Sequence, residues 1–240
     1  MPLYRLGPEP VFPPAELAEP EGLLAIGGDL SAERLLAAYR SGIFPWFELG
    51  GPILWWSPDP RLVLLTEELR ITRRLARTIR QGRFETRYDT AFSHVIRACA
   101  ETPRRHEDGT WITPEMQRAY IRLHQLGHAH CMESWREGRL VGGIYGVRVG
   151  RVFCGESMFH RETDASKVAL AALVERLKLE GVDLVDCQVA SEHLISLGAR
   201  EIPRAMFLRH LKSALRGSSG RVAAEVGRGS DHPCRPRPSD

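Results

Sequence analysis

The sequence predicts a mixed α/β (α+β) protein: a small N-terminal domain followed by a larger domain around a mixed, mostly antiparallel sheet. Three observations predict it. Residues 1 to about 60 are dense in Pro, Gly and Trp and contain one clear helix. Beyond them the apolar periodicity alternates between that of helices and that of strands. Between residues 128 and 159, three β-rich runs are separated only by turn-sized spacers, and a long helical stretch follows. The expected bounds are 1–63 for the small domain, 64–216 for the larger one and 217–240 for a disordered tail rich in Gly, Ser, Arg and Pro.

In the first segment Ser31 is a good N-cap, Leu35, Leu36 and Tyr39 supply an apolar face, and Gly42 is a stop. Turns and short extended pieces surround this helix. Arg61 to Thr66 then reads as a strand. Ile71 to Gln81 reads as a helix with Ile71, Leu75 and Ile79 inward, and Phe84 to Tyr88 as a strand. Thr90 to Ala100 is a helix with Phe92, Val95 and Ile96 inward. Thr113 caps another, with Pro114 at its first position, running to about Leu126. His128 to Trp135, Leu140 to Val147 and Arg151 to Phe159 form an antiparallel meander through turns at Glu137-Gly138 and Arg148 to Gly150. A helix over Ala165 to Glu180 stops at Gly181. Strand Leu184 to Gln188 and helices Ser191 to Leu197 and Arg204 to Leu215 complete the order.

Meander, long helix, strand, helix is the order of the acyl-CoA N-acyltransferase (acetyltransferase) fold. Those enzymes hold a pyrophosphate on a Gly-rich loop before the long helix. Here that junction is His160-Arg161-Glu162-Thr163-Asp164-Ala165, without glycine. The scaffold is expected without the coenzyme A site.

Of the 240 residues, 43% are hydrophobic and 26% charged, enough for a real core. No run approaches the roughly 18 apolar residues of a membrane helix, and the first residues carry no signal pattern. A soluble cytoplasmic protein with no membrane partner is expected. The five cysteines are scattered and form no CxxC pair, which argues against disulfides and structural zinc. A net charge of +3 says little about nucleic acid; its distribution says more.

Two strand segments carry polar groups in apolar surroundings: Phe153 to Phe159, with Glu156, and Asp186-Cys187-Gln188. Strict alternation puts Asp186 and Gln188 on one face and Cys187 on the other. Carboxylates and a carboxamide are costly to bury unpaired, so these residues form either a site or an ordinary buried hydrogen-bond network. Gly155-Glu156-Ser157 lacks the second glycine and the strand-to-helix turn of a serine nucleophile elbow. His128 and His130 share a strand face, but without a third ligand they are a weak metal signal; no metal and no cofactor are expected. Arg73, Arg77 and Arg80 recur at helical spacing, with Arg74 beside them and Arg83 just beyond, and no acid intervenes. Such a stripe is either a solvated face or a contact for a phosphate backbone, and RNA is favoured. Trp46 and Trp111 are packed aromatics or stacking platforms for an unpaired base.

Taken together, the chain resembles the leucyl/phenylalanyl-tRNA–protein transferase family. The resemblance runs from about Gly22 to Phe207. It is carried by Gly22 to Leu30, Gly42 to Phe47, Trp55 to Arg61, Thr110-Trp111-Ile112, Leu126 to His130, Gly155 to Phe159, Asp186-Cys187-Gln188 and Ser196 to Ala199. It implies a two-domain cytoplasmic enzyme that moves Leu or Phe, and less readily Met, from aminoacyl-tRNA to proteins beginning with Arg or Lys, marking them for N-end rule degradation; a monomer is expected. It implies Asp186, Gln188 and Glu156 at the reacting centre, with Glu156 holding the incoming amine or the Arg/Lys side chain. Ile144, Phe153, Met158, Leu173 and Val185 would line an apolar pocket, with a bulge at Gly155 reconciling Phe153 and Met158. Trp46 and Trp111 would flank the terminal adenosine, and Arg73, Arg74, Arg77, Arg80 and Arg83 would grip the acceptor stem. Two other readings stand beside it: a small-molecule N-acyltransferase using acyl-CoA, and a tRNA-binding protein without catalysis.

Overall fold

The computed structural model describes residues 3–102 and 110–216. The expected tail, 217–240, lies outside the described residues. Two sheets organise the chain. The smaller contains β1 (Tyr4–Leu6), β2 (Leu23–Gly27), β3 (Phe44–Pro45) and β4 (Leu54–Trp56), in the order β1-β2-β4-β3, with α1 (Ala32–Arg40) between β2 and β3. Ser31 caps α1 by accepting from the Arg34 N–H. The second sheet begins with β5 (Arg61–Leu65), so residue 63 lies inside a strand of the larger sheet.

Next come α2 (Arg73–Arg80), β6 (Glu85–Tyr88), α3 (Phe92–Glu101) and α4 (Pro114–Gln125). The meander follows as β7 (Ala129–Arg136), β8 (Arg139–Val149) and β9 (Val152–His160). After it come α5 (Ala165–Leu179), β10 (Leu184–Gln188), α6 (Glu192–Ser196), β11 (Arg200–Ile202) and α7 (Arg204–Leu215). The seven strands run in the order β11-β5-β10-β9-β8-β7-β6. Only the β9–β10 pair is parallel, because α5 carries the chain across one face between them.

Apolar residues fill both faces of this sheet. On one, Leu62, Leu64, Ile144, Phe153 and Val185 pack against Leu170, Leu173 and Leu177 of α5. On the other, Val63, Tyr145, Val147 and Cys154 meet Phe92, Tyr120 and Phe207 of α3, α4 and α7. The same cluster continues into Tyr39, Phe44 and Trp55, so the two sheets share one core.

The turn signals and caps give elements close to those expected, with two differences. First, β11 pairs with β5 in a three-residue edge strand too short to produce a pattern. Second, α2 is shorter than its periodicity suggests. Leu75 and Thr78 are buried in it, while Ile71 and Ile79 are exposed at 40% and 41%. A helix of two turns has a narrow contact face, and here the two isoleucines rim a groove of about 340 Å³ with Phe84 and Val168.

Candidate active site

The parallel pairing of β9 and β10 ends at Cys154 opposite Asp186. Beyond that point each strand departs from regular geometry. In β9 the register with β8 passes from Tyr145–Ser157 to Gly146–Gly155, leaving Glu156 as the extra residue of a bulge. Glycine at 146 permits it, because a Cβ there would collide with the Cys154 carbonyl. In β10 the register with β5 slips between Asp186 and Gln188. Gln188 adopts φ +60°, and the Val189 N–H donates back to the Cys187 carbonyl at 2.8 Å, a three-residue turn centred on Gln188. A left-handed non-glycine residue costs about 1–2 kcal/mol and persists only where its surroundings hold it.

Two irregularities on diverging strands open a cavity of about 490 Å³, and Glu156 and Gln188 both line it. The Gln188 side-chain amide donates to one Glu156 oxygen at 3.2 Å. The Tyr120 hydroxyl donates to the other at 3.0 Å, and Tyr39 hydrogen-bonds Tyr120 from α1. Asp186 sits behind them with no exposure. It accepts from Arg61 Nε at 2.8 Å and Arg61 Nη2 at 2.7 Å, and from the Gln188 backbone N–H at 3.1 Å. Arg61 is itself buried, its guanidinium 4.9 Å from the Phe44 ring centroid and 4.6 Å from that of Phe207.

This geometry corrects one expectation. Strict alternation puts the Gln188 amide on the same face as Asp186. It donates to Glu156 instead, because the slip at Cys187 breaks strand alternation and leaves only the Gln188 backbone within reach of Asp186. Asp186 does not line the cavity and lies behind Gln188, accepting from its backbone N–H.

The electrostatics set Glu156 apart. Burial pushes its pKa up to about 7 and nearby Asp186 adds to the rise, against hydrogen bonds from Tyr39 and Tyr120 and the charge of Arg61. Burial likewise raises the Tyr39 and Tyr120 hydroxyls well above their usual range. Between pH 4.5 and about 7, then, the unfolded carboxyl is ionised while the folded one keeps its proton. The folded state binds more protons there, so this group's contribution to stability is lost as pH rises through about 7. Glu156→Gln is expected to remove that slope. Relative to the variant, the wild type should lose at most about 3 kcal/mol across the window, measured by urea unfolding at successive pH values.

Among the apolar candidates, Ile144, Met158 and Val185 line the cavity, joined by Leu64, Leu170, Cys187 and Leu194. Phe153 and Leu173 are fully buried in the cluster behind that wall and do not line it. The bulge falls next to Gly155, where the change of face between Phe153 and Met158 requires it. Trp46 and Trp111 both line the cavity. Trp46 is tilted against Trp56, 6.0 Å between centroids, and the Trp56 indole N–H donates to the Trp46 carbonyl at 2.7 Å.

Arg73, Arg74, Arg77, Arg80 and Arg83 are all exposed on and just after α2. The stripe is acid-free in sequence but not in space. Asp164 pairs with Arg74 at 3.2 Å and Glu162 with Arg83 at 3.5 Å. Arg73, Arg77 and Arg80 have no ion-pair partner among the described residues. His130 is held by Asp89 at 2.7 Å and stacked on Tyr88. Among the described residues no group of three His, Cys, Asp or Glu side chains is placed to hold a metal, and no helix is long and apolar enough to cross a membrane.

Sequence reasoning missed Arg61, Tyr39 and Tyr120. Arg61 left a signal: it heads a strand whose other four residues are apolar and buried, as Asp186 is the lone charge of its own buried strand. Two isolated opposite charges in interior strands call for each other. The tyrosines left none, since a helix face records their rings and not where their hydroxyls end.

The last strand of the meander thus parts from its parallel neighbour, and a carboxyl and a carboxamide are set in the gap at the cavity wall. The family model described as Leucyl/phenylalanyl-tRNA protein transferase matches residues 63–212, and that described as its N-terminal domain matches 28–59. A leucyl/phenylalanyl-tRNA–protein transferase of Syntrophobacter fumaroxidans is 62% identical over 208 residues, 87% of this chain and 89% of the relative. One from Chromobacterium violaceum is 58% identical over 88% of this chain and 91% of its own. The chain belongs to the leucyl/phenylalanyl-tRNA–protein transferase family and is an enzyme of that activity. Among solved structures, a GCN5-related N-acetyltransferase from Kribbella flavida aligns with a TM-score of 0.39 at 12% identity, over 70% of this chain and 59% of that one.

Proposed function

We propose that this monomeric, cytoplasmic enzyme transfers leucine or phenylalanine, and less readily methionine, from aminoacyl-tRNA to proteins with N-terminal Arg or Lys, feeding the N-end rule pathway. We further propose a functional division between a small N-terminal lobe and the catalytic domain that follows it. The observation that carries the reading is the Glu156–Gln188 pair at the cavity wall beside an apolar chamber.

The chemistry is attack of an α-amine on an ester carbonyl. A C–N bond forms, the bond to the ribose oxygen breaks, and the amine proton ends on that oxygen. An α-amine with a pKa of about 7.7–8.0 is partly neutral near pH 7, so no strong base is needed. Positioning can supply up to roughly 7–11 kcal/mol of the barrier. Gln188 uses its N–H on Glu156, which leaves its carbonyl oxygen to accept from the attacking amine. Glu156 receives the acceptor's positive charge, either the protonated amine or the Arg/Lys side chain. Asp186 and Arg61 fix the Gln188 backbone. Ile144, Met158 and Val185 hold the amino-acid side chain, with Phe153 and Leu173 shaping the wall behind them. Trp46 and Trp111 flank the terminal adenosine.

On α2, Arg73, Arg77 and Arg80 contact acceptor-stem phosphates, and Arg74 and Arg83 join them when their acidic partners yield. Arg77→Glu with Arg80→Glu is expected to weaken tRNA binding at least tenfold and to lower the slope of log affinity against log salt by about 2. Filter binding across a salt series checks it; unchanged binding would leave the stripe a solvated face. The deciding assay for the whole reading is incubation of Leu-tRNA with peptides starting in Arg, Lys or Ala, read by mass. Arg and Lys peptides should gain one residue and the Ala peptide none.

A further inference from the structure

The cavity has a basic edge that the reaction scheme leaves unused. His193 of α6 lines the cavity. Two more basic residues on separate elements fall at positions next to residues that line it. Met158 lines the cavity, and His160 follows two residues later in β9, where strand alternation returns to the same face. Leu170 lines the cavity as well, and Lys167 precedes it by one turn on the same side of α5. The charges of Lys167 and His160 both reach the His193 ring, though burial does most to hold its pKa below the usual imidazole value. Lys167 is partly exposed and 3.5 Å from Asp164, the same carboxylate that receives Arg74 of α2. The edge is therefore linked through Asp164 to the arginine row.

We propose that Lys167, His193 and His160 form a phosphate subsite of the RNA donor, holding the phosphodiester that joins the aminoacylated terminal nucleoside to the nucleotide before it. The inference rests on the aminoacyl-tRNA reading above. A nucleoside flanked by Trp46 and Trp111 inside a cavity of about 490 Å³ leaves that phosphate at the margin, where an apolar wall would strip its hydration without compensation. An ammonium and two imidazoles supply a point charge and N–H donors there. The link to α2 favours nucleic acid over an acidic residue of the acceptor, because Lys167 and Arg74 share Asp164 and so the cavity's basic edge lies beside the arginine row.

The test compares two minimal donors, leucyl-adenosine and a leucylated CCA trinucleotide, with an Arg-Ala peptide as acceptor. The wild type should show a KM for the trinucleotide about tenfold below that for the adenosine, the size of one charge-assisted contact. Lys167→Gln should shrink that ratio to within about threefold, and Lys167→Arg, which keeps the charge, should restore most of it. His160→Gln, at an exposed position, provides a second variant that does not threaten folding. An unchanged ratio in both Gln variants, or an equal KM rise for both donors, would overturn the subsite. So would an effect that appears with Arg-Asp but not Arg-Ala peptides, since it would assign the edge to the acceptor. If the wild type used neither these donors nor Leu-tRNA, the aminoacyl-transfer reading itself would fail.

Discussion

Arg61→Met is expected to lower the free energy of unfolding by about 3–5 kcal/mol, the usual consequence of stranding one member of a buried ion pair. Asp186 has no exposure and no second cation within hydrogen-bonding reach among the described residues, so its charge would stay in an apolar interior. The variant also removes the group stacked between Phe44 and Phe207, the contact by which β3 and α7 brace β5. Methionine preserves much of the volume, so the loss reports charge more than cavity. The companion variant, Arg61→Met with Asp186→Leu, separates stability from function. Replacing both charges with apolar groups should recover most of the stability. It should not recover turnover, because the Gln188 N–H then lacks the carboxylate that holds its turn. Urea unfolding and a peptide-transfer assay on both variants decide the matter. A double variant that is stable and fully active would remove Asp186 from the support of Gln188.

The second large effect is expected at Gln188 itself. Gln188→Ala should reduce kcat by about 10²–10³-fold, the range seen when one preorganised polar contact to a reacting group is lost. It should leave tRNA affinity within about twofold, since the arginines of α2 are untouched. Stability should change by no more than about 1 kcal/mol, because alanine at φ +60° carries the same backbone strain as glutamine. A fall in kcat without a fall in melting temperature would separate chemistry from folding. Unimpaired turnover would take the carboxamide out of the mechanism.

Much of this architecture could be read from sequence because its elements carry local signals. Thr113-Pro114 marks the start of α4, Glu137-Gly138 and Gly150 set the meander, and β10 and α7 have the bounds their patterns suggest. Such signals are local hydrogen bonds and local periodicity. The polar network is different, since it is made by residues far apart in the chain. Arg61 and Asp186 are 125 positions apart, and Tyr39 and Tyr120 are 81. Strand alternation also misdirected Gln188, because one slipped residue exchanges its partner from Asp186 to Glu156. The outward turn of Ile71 and Ile79 was hidden for a related reason: periodicity tells which residues share a face, not whether a neighbour covers it.

Under the proposed mechanism, the left-handed backbone at Gln188 sets durability and activity against each other at a single codon. Glycine would rest in that conformation without penalty, so selection for heat resistance alone would drift toward it, and selection for turnover must continually pull it back.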